Sequence, residues 1–89
     1  MCRKEVVIKN EVGLHSKFAT FFTKRANEFR SSIWLERDNR RVNAKSLLGI
    51  LSIGVVAGDR VVIIADGNDE DKALAALVEL IESGFKKQG

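Results

Sequence analysis

Arg60-Val61-Val62-Ile63-Ile64-Ala65 is the stretch on which the architecture turns. Val61 and Ile63 alternate with Val62 and Ile64, so a strand here is apolar on both faces and reads as a central strand rather than an edge. Gly58-Asp59 turns the chain into it, and Asp66-Gly67-Asn68-Asp69 turns the chain out. That second turn also offers an N-cap to a last helix, whose dipole is complemented by Asp69, Glu70 and Asp71. Leu74, Leu77, Val78 and Ile81 form the buried stripe expected of this helix, with Gly84 as its stop and Phe85 to Gly89 as a loose tail.

Upstream of the central strand, Leu47 to Ile53 is a compact apolar segment closed by Gly54, read as two turns of helix with Ser46 as N-cap. Ile50 and Ile53 lie three apart and face the core, which turns Leu47, Leu48 and Leu51 elsewhere. From pattern alone those leucines either pack on the first helix or form an exposed patch of the kind that marks a partner site. Before them, Ser32 to Glu36 reads as a strand with Ile33 and Leu35 inward and Trp34 on the opposite face. Asp38-Asn39 then makes a two-residue hairpin returning along Arg40 to Val42. Ser16 to about Arg30 has helical period, with Ala19, Phe22, Ala26 and Phe29 on one face, and Arg3 to Lys9 alternates as a first strand. The order βαββαβα predicts a single α/β (α+β) domain over residues 1–89. It would be an open-faced sandwich, a four-stranded antiparallel sheet with three helices on one face.

The totals narrow the chemistry. Eighty-nine residues hold one small core. With one Cys and one His, neither an internal disulfide nor an ordinary zinc cluster can be built, so no metal or other cofactor is expected. No apolar run is long enough to span a bilayer and the first residues are charged and alternating, so a cytoplasmic protein without membrane insertion is expected. Fifteen Lys and Arg against 12 Asp and Glu give +3, a mild excess that favours acidic partners. The basic residues, among them Arg37, are scattered without interleaved aromatics and most read as a solvated face, so nucleic acid is not an expected partner.

The one histidine, His15, stands where the first strand hands over to the first helix through Asn10-Glu11-Val12-Gly13. An imidazole there is a nucleophile beside unpaired backbone N–H groups that favour arriving negative charge, which suits a phosphoryl group. Phe18 follows in the first helical turn, either a satellite of the core or an exposed docking contact.

Asn10, Gly13-Leu14-His15, then Val42-Asn43-Ala44-Lys45-Ser46-Leu47-Leu48-Gly49, then Gly67-Asn68-Asp69-Glu70 resemble the HPr family of phosphocarrier proteins. The likeness runs from about Lys4 to Ile81. It implies a monomeric carrier, not an enzyme, that accepts phosphate on His15 from phosphorylated enzyme I. The carrier would pass it to the IIA components of sugar phosphotransferase systems. The resemblance also implies Nδ1 as the phosphorylated nitrogen. A neutral imidazole nitrogen attacks phosphorus, and the phosphoramidate formed is labile enough to hand the group on. Where the family usually has Ala-Arg-Pro after its histidine, this chain has Ser16-Lys17-Phe18. Ser16 adds a hydroxyl beside the phosphate. Lys17 keeps the charge but not the planar fork, and Phe18 gives up a fixed φ that suits a first helical turn. By the same resemblance Leu47, Leu48, Leu51, Thr20 and Lys24 fall where the family docks its partners, and Phe18 is grouped with them.

Ser46 matches the serine that a dedicated kinase modifies in many relatives, in a form that partners a transcription regulator of carbon use. A phosphate there carries about −1.5 to −2 charges onto a surface meant for acidic partners. A second expectation is therefore a regulatory HPr-like protein acting mainly through phospho-Ser46, with a weakened transport role.

Overall fold

The computed structural model describes residues 1–9 and 15–83, with His15 and Ser16 described by their backbone alone. Seven elements follow in the predicted order: β1 (Cys2–Val7), α1 (His15–Ala26), β2 (Ser32–Arg37), β3 (Arg40–Asn43), α2 (Leu47–Ile53), β4 (Arg60–Asp66) and α3 (Glu70–Glu82). The strands form one antiparallel sheet in the order β1-β4-β2-β3. The doubly apolar strand is thus internal, as its composition requires.

Register places Val6 opposite Val61, and Leu35 and Ile33 opposite Ile63 and Ala65. These side chains share the helix-covered face and join Phe18, Phe22, Ile50, Ile53, Leu77 and Ile81 in the core. α3 covers β1 and β4, α2 adjoins β3, and α1 packs against both other helices. On the uncovered face Ile64 is fully buried even so. Its cross-strand neighbours are Arg3 and Trp34, and Arg3 Nη2 reaches Glu36 Oε1 (3.5 Å) across β4, so the stems of longer side chains shield it.

Three local expectations shift. α1 stops at Ala26 instead of running to about Arg30, because its end is tied to the connection between β3 and α2. Asn27 Nδ2 donates to the Thr23 and Lys45 carbonyls (2.9 and 3.2 Å), and Lys45 Nζ donates to the Phe29 carbonyl (2.7 Å). Phe29, past the helix end, is only partly buried. The stripe of α3 is turned slightly, with Ala73, Leu77, Leu80 and Ile81 buried and Leu74 and Val78 at its margin.

Asp69 starts α3 but makes no side-chain cap. Its carboxylate accepts instead from the Arg30 and Ser31 amides (both 2.9 Å) and from the Ser31 hydroxyl. The same approach requires Gly67, where a Cβ would come within 2.6 Å of Ser31 Oγ and 2.7 Å of Ser31 Cα. The hairpin forms as read, with Asp38 in the left-handed region (φ 55°) and Arg37 opposite Arg40. The turn at 10–13, Gly84 as a stop and the tail at 85–89 lie outside the described residues. Among the described residues no helix is long and apolar enough to cross a membrane.

Candidate functional site

The site begins where α1 begins. Its first residue is His15, one position earlier than the helical period alone indicates, while Asn10, Gly13 and Leu14 of the motif and the side chains of His15 and Ser16 lie outside what is described. The first turn carries no acidic side chain, and Lys24 and Arg25 occupy the last. Basic groups therefore complement the negative end of the helix dipole, and no carboxylate of the first turn neutralises its positive end.

α1 divides by the 3.6-residue period. Lys17, Thr20 and Lys24 are exposed along one stripe, whereas Phe18, Ala19, Phe22 and Ala26 are buried along the other. This corrects the grouping of Phe18 with partner contacts. Its side chain is 1% exposed and stacks on Phe22, one turn on, with ring centroids 5.2 Å apart. A ring buried this far offers a partner no surface.

α2 resolves the other open alternative. Ile50 and Ile53 point inward, and Leu47, Leu48 and Leu51 are 44%, 78% and 40% exposed. Ser46 caps the helix, its hydroxyl accepting from the Gly49 amide (3.1 Å). Gly49 is hemmed in there, since a Cβ would lie 3.2 Å from the Asn43 carbonyl. Gly54 ends the helix in the left-handed conformation (φ 64°), and its amide returns to the Leu51 carbonyl (3.3 Å). Because α1 and α2 pack together on one face of the sheet, their solvent sides adjoin.

Two residues at this surface escape a reading of the sequence. Val56, just beyond α2, is 47% exposed. Arg37, read as part of a solvated face, instead donates through Nη1 to the Ile53 and Gly54 carbonyls (2.8 and 2.6 Å) at the end of α2. No periodicity announces the Arg37 contacts, because they join segments 16 and 17 residues apart.

Elsewhere, Cys2, Glu70 and Asp71 bring a thiol and two carboxylates within 4.8 Å of one another. Burial, with the nearby Glu70 and Asp71 charges, pushes the Cys2 thiol up from its ordinary pKa. The thiol donates to the Glu70 carbonyl (3.6 Å).

A family model described as "PTS HPr component phosphorylation site" matches residues 2–83. The chain is 40% identical to the HPr-like protein Crh of Halalkalibacterium halodurans, over 92% of this chain and 98% of that one. It is 41% identical to the phosphocarrier protein HPr of Borreliella burgdorferi, over 98% of this chain and the whole of that one. Among solved structures it superimposes on HPr-C-His from Thermoanaerobacter tengcongensis with a TM-score of 0.92 and 49% identity, covering 96% of each chain.

Proposed function

Because the chain belongs to the HPr family of phosphocarrier proteins, we propose that His15 accepts a phosphoryl group from phosphorylated enzyme I. The chain would then pass it to IIA components of sugar phosphotransferase systems. The observation that carries this reading is the start of α1 on His15, with no acidic side chain in its first turn. The imidazole nitrogen, Nδ1 by the family resemblance, forms a bond to phosphorus as the bond to enzyme I breaks. The reverse exchange transfers the group to IIA. Backbone N–H groups of the first turn face the transferred oxygens, each such charge–dipole interaction being worth ~0.3–1 kcal/mol.

Lys17 is exposed on the side of α1 away from the core and supplies a point charge to the phosphate without the bidentate geometry of arginine. Ser16 adds a neighbouring hydroxyl. Thr20 and Lys24 on α1, with Leu47, Leu48 and Leu51 on α2, form the face on which enzyme I and IIA alternate. Phe18 changes how the helix starts and not what partners touch, since its ring is in the core.

Incubation with phosphoenolpyruvate and enzyme I from the same organism should give an acid-labile adduct on the wild-type chain that is lost in His15→Ala. An unlabelled wild type beside an active enzyme I would overturn the proposal.

A second reading has its own support in the likeness to Crh and in the position of Ser46, which caps α2 immediately before the exposed leucines. Phosphorylation of Ser46 by a serine kinase would add negative charge at the edge of the docking face, weakening acidic carrier partners and creating a form for a transcription regulator. Stoichiometric ATP-dependent labelling at Ser46 together with sluggish His15 transfer would favour this regulatory role over sugar transport.

A further inference from the structure

The docking face is carried by a helix of seven residues and the turn behind it. So short a helix does not hold its own geometry in water, so something outside it must hold its end. α2 has no basic residue in its last turn. The positive charge at its C-terminus comes from Arg37, the last residue of β2, whose Nη1 donates to the Ile53 and Gly54 carbonyls (2.8 and 2.6 Å).

The same Nη1 lies 3.4 Å from Asp59 Oδ2, and that oxygen accepts from the Val56 amide (2.8 Å). The Asp59 amide in turn donates to the Val56 carbonyl (3.0 Å), closing the turn. One guanidinium therefore joins the end of the sheet hairpin, the end of α2 and the turn leading into β4. All three contacts fall on Nη1, at the tip of a long stem whose charge is permanent, so arginine suits this by reach and charge.

We infer that Arg37 is a positioning residue for partner docking, holding Leu51 and Val56 in place through the carbonyls of Ile53 and Gly54 and through Asp59. The inference rests on the carrier reading above. Arg37 and Asp59 are themselves 30% and 24% exposed, and their work is done on neighbouring backbone. The leucines before the clamp and Val56 after it keep one relative placement, so a partner meets a preformed face and does not have to order it on binding.

The test uses the full chain as the substrate of enzyme I, with phosphoenolpyruvate as donor. Arg37→Met keeps the stem and removes the donors. Arg37→Lys restores the charge on a shorter side chain that ends in a compact ammonium, and Asp59→Asn keeps an acceptor for Val56 while removing the charge beside Arg37. Arg3→Met, which breaks the exposed pair with Glu36 on the other side of the sheet, controls for loss of a surface cation, and the urea midpoint of each variant reports any general loss of stability.

The expected result is a KM for the chain raised about tenfold in Arg37→Met, the scale of a lost charged hydrogen bond, with kcat unchanged. Arg37→Lys should recover part of the loss, and Arg3→Met should behave as wild type. Should Arg37→Met fail to fold, Asp59→Asn carries the test and must raise KM in the same direction. An unchanged KM, or an equal rise in Arg3→Met, would overturn the inference while leaving the carrier reading intact. A wild-type chain that enzyme I does not phosphorylate would overturn both.

Discussion

Phe18 illustrates how much one side chain's direction decides. It stands in the first turn of α1, where sequence spacing leaves it at the margin of the apolar stripe, and its ring goes inward to stack on Phe22. Phe18→Ala should therefore destabilise the fold by about 3–5 kcal/mol, as deletion of a buried aromatic does, read from urea unfolding. Leu48→Ala, at a side chain 78% exposed, should change stability by no more than about 0.5 kcal/mol in the same measurement. A small effect for Phe18→Ala would return that residue to the docking face. Arg37 makes the complementary point. Its type and its place in a turn suggest a solvated cation, and only the approach of the end of α2 gives it carbonyls to hold.

At the scale of the element, α2 is where local chemistry was most legible. Ser46 before an apolar run, Ile50 and Ile53 at helical spacing and Gly54 behind them specify a short capped helix, and that helix forms with its left-handed stop. Ser46→Ala should cost about 1 kcal/mol by orphaning the Gly49 amide. It should also abolish ATP-dependent labelling if the kinase acts there, while leaving the His15 adduct in place. Thermal unfolding and the two labelling assays measure these separately, and loss of both adducts together would show that Ser46 matters to the carrier site itself. α1 was less legible at its end than at its centre. Its core face follows the period through Ala19, Phe22 and Ala26, but its termination depends on Asn27 and Lys45, residues from two segments that meet only in the fold.

At the scale of the molecule, Asp69 links the start of β2 to the start of α3. The Ser31 hydroxyl, then the Arg30 and Ser31 amides, hold its carboxyl at about 2 against an ordinary 3.8. The unfolded chain therefore takes up this proton more readily than the folded one, and stability present above pH ~4 is lost as the pH falls toward ~2. The Glu70 carboxyl, held below its ordinary value chiefly by the Gly67 amide, acts in the same direction. Urea midpoints measured across this window should fall for the wild type and fall less steeply for Asp69→Asn. An unaltered slope would mean that Asp69 does not carry the acid sensitivity.

Periodicity, turn chemistry and capping are short-range properties. The sequence by itself therefore determined the order of the elements, the doubly apolar β4, the Asp38-Asn39 hairpin, the cap of α2 and the position of His15 at a helix start. The strand order β1-β4-β2-β3, the inward ring of Phe18, the sheltered Ile64, the diverted Asp69 carboxylate and the Arg37 clamp were decided by the tertiary structure. The physical reason is separation along the chain. Arg37 and Ile53 are 16 residues apart and Arg30 and Asp69 are 39 apart, so these contacts exist only once the sheet and its helices have brought the segments together.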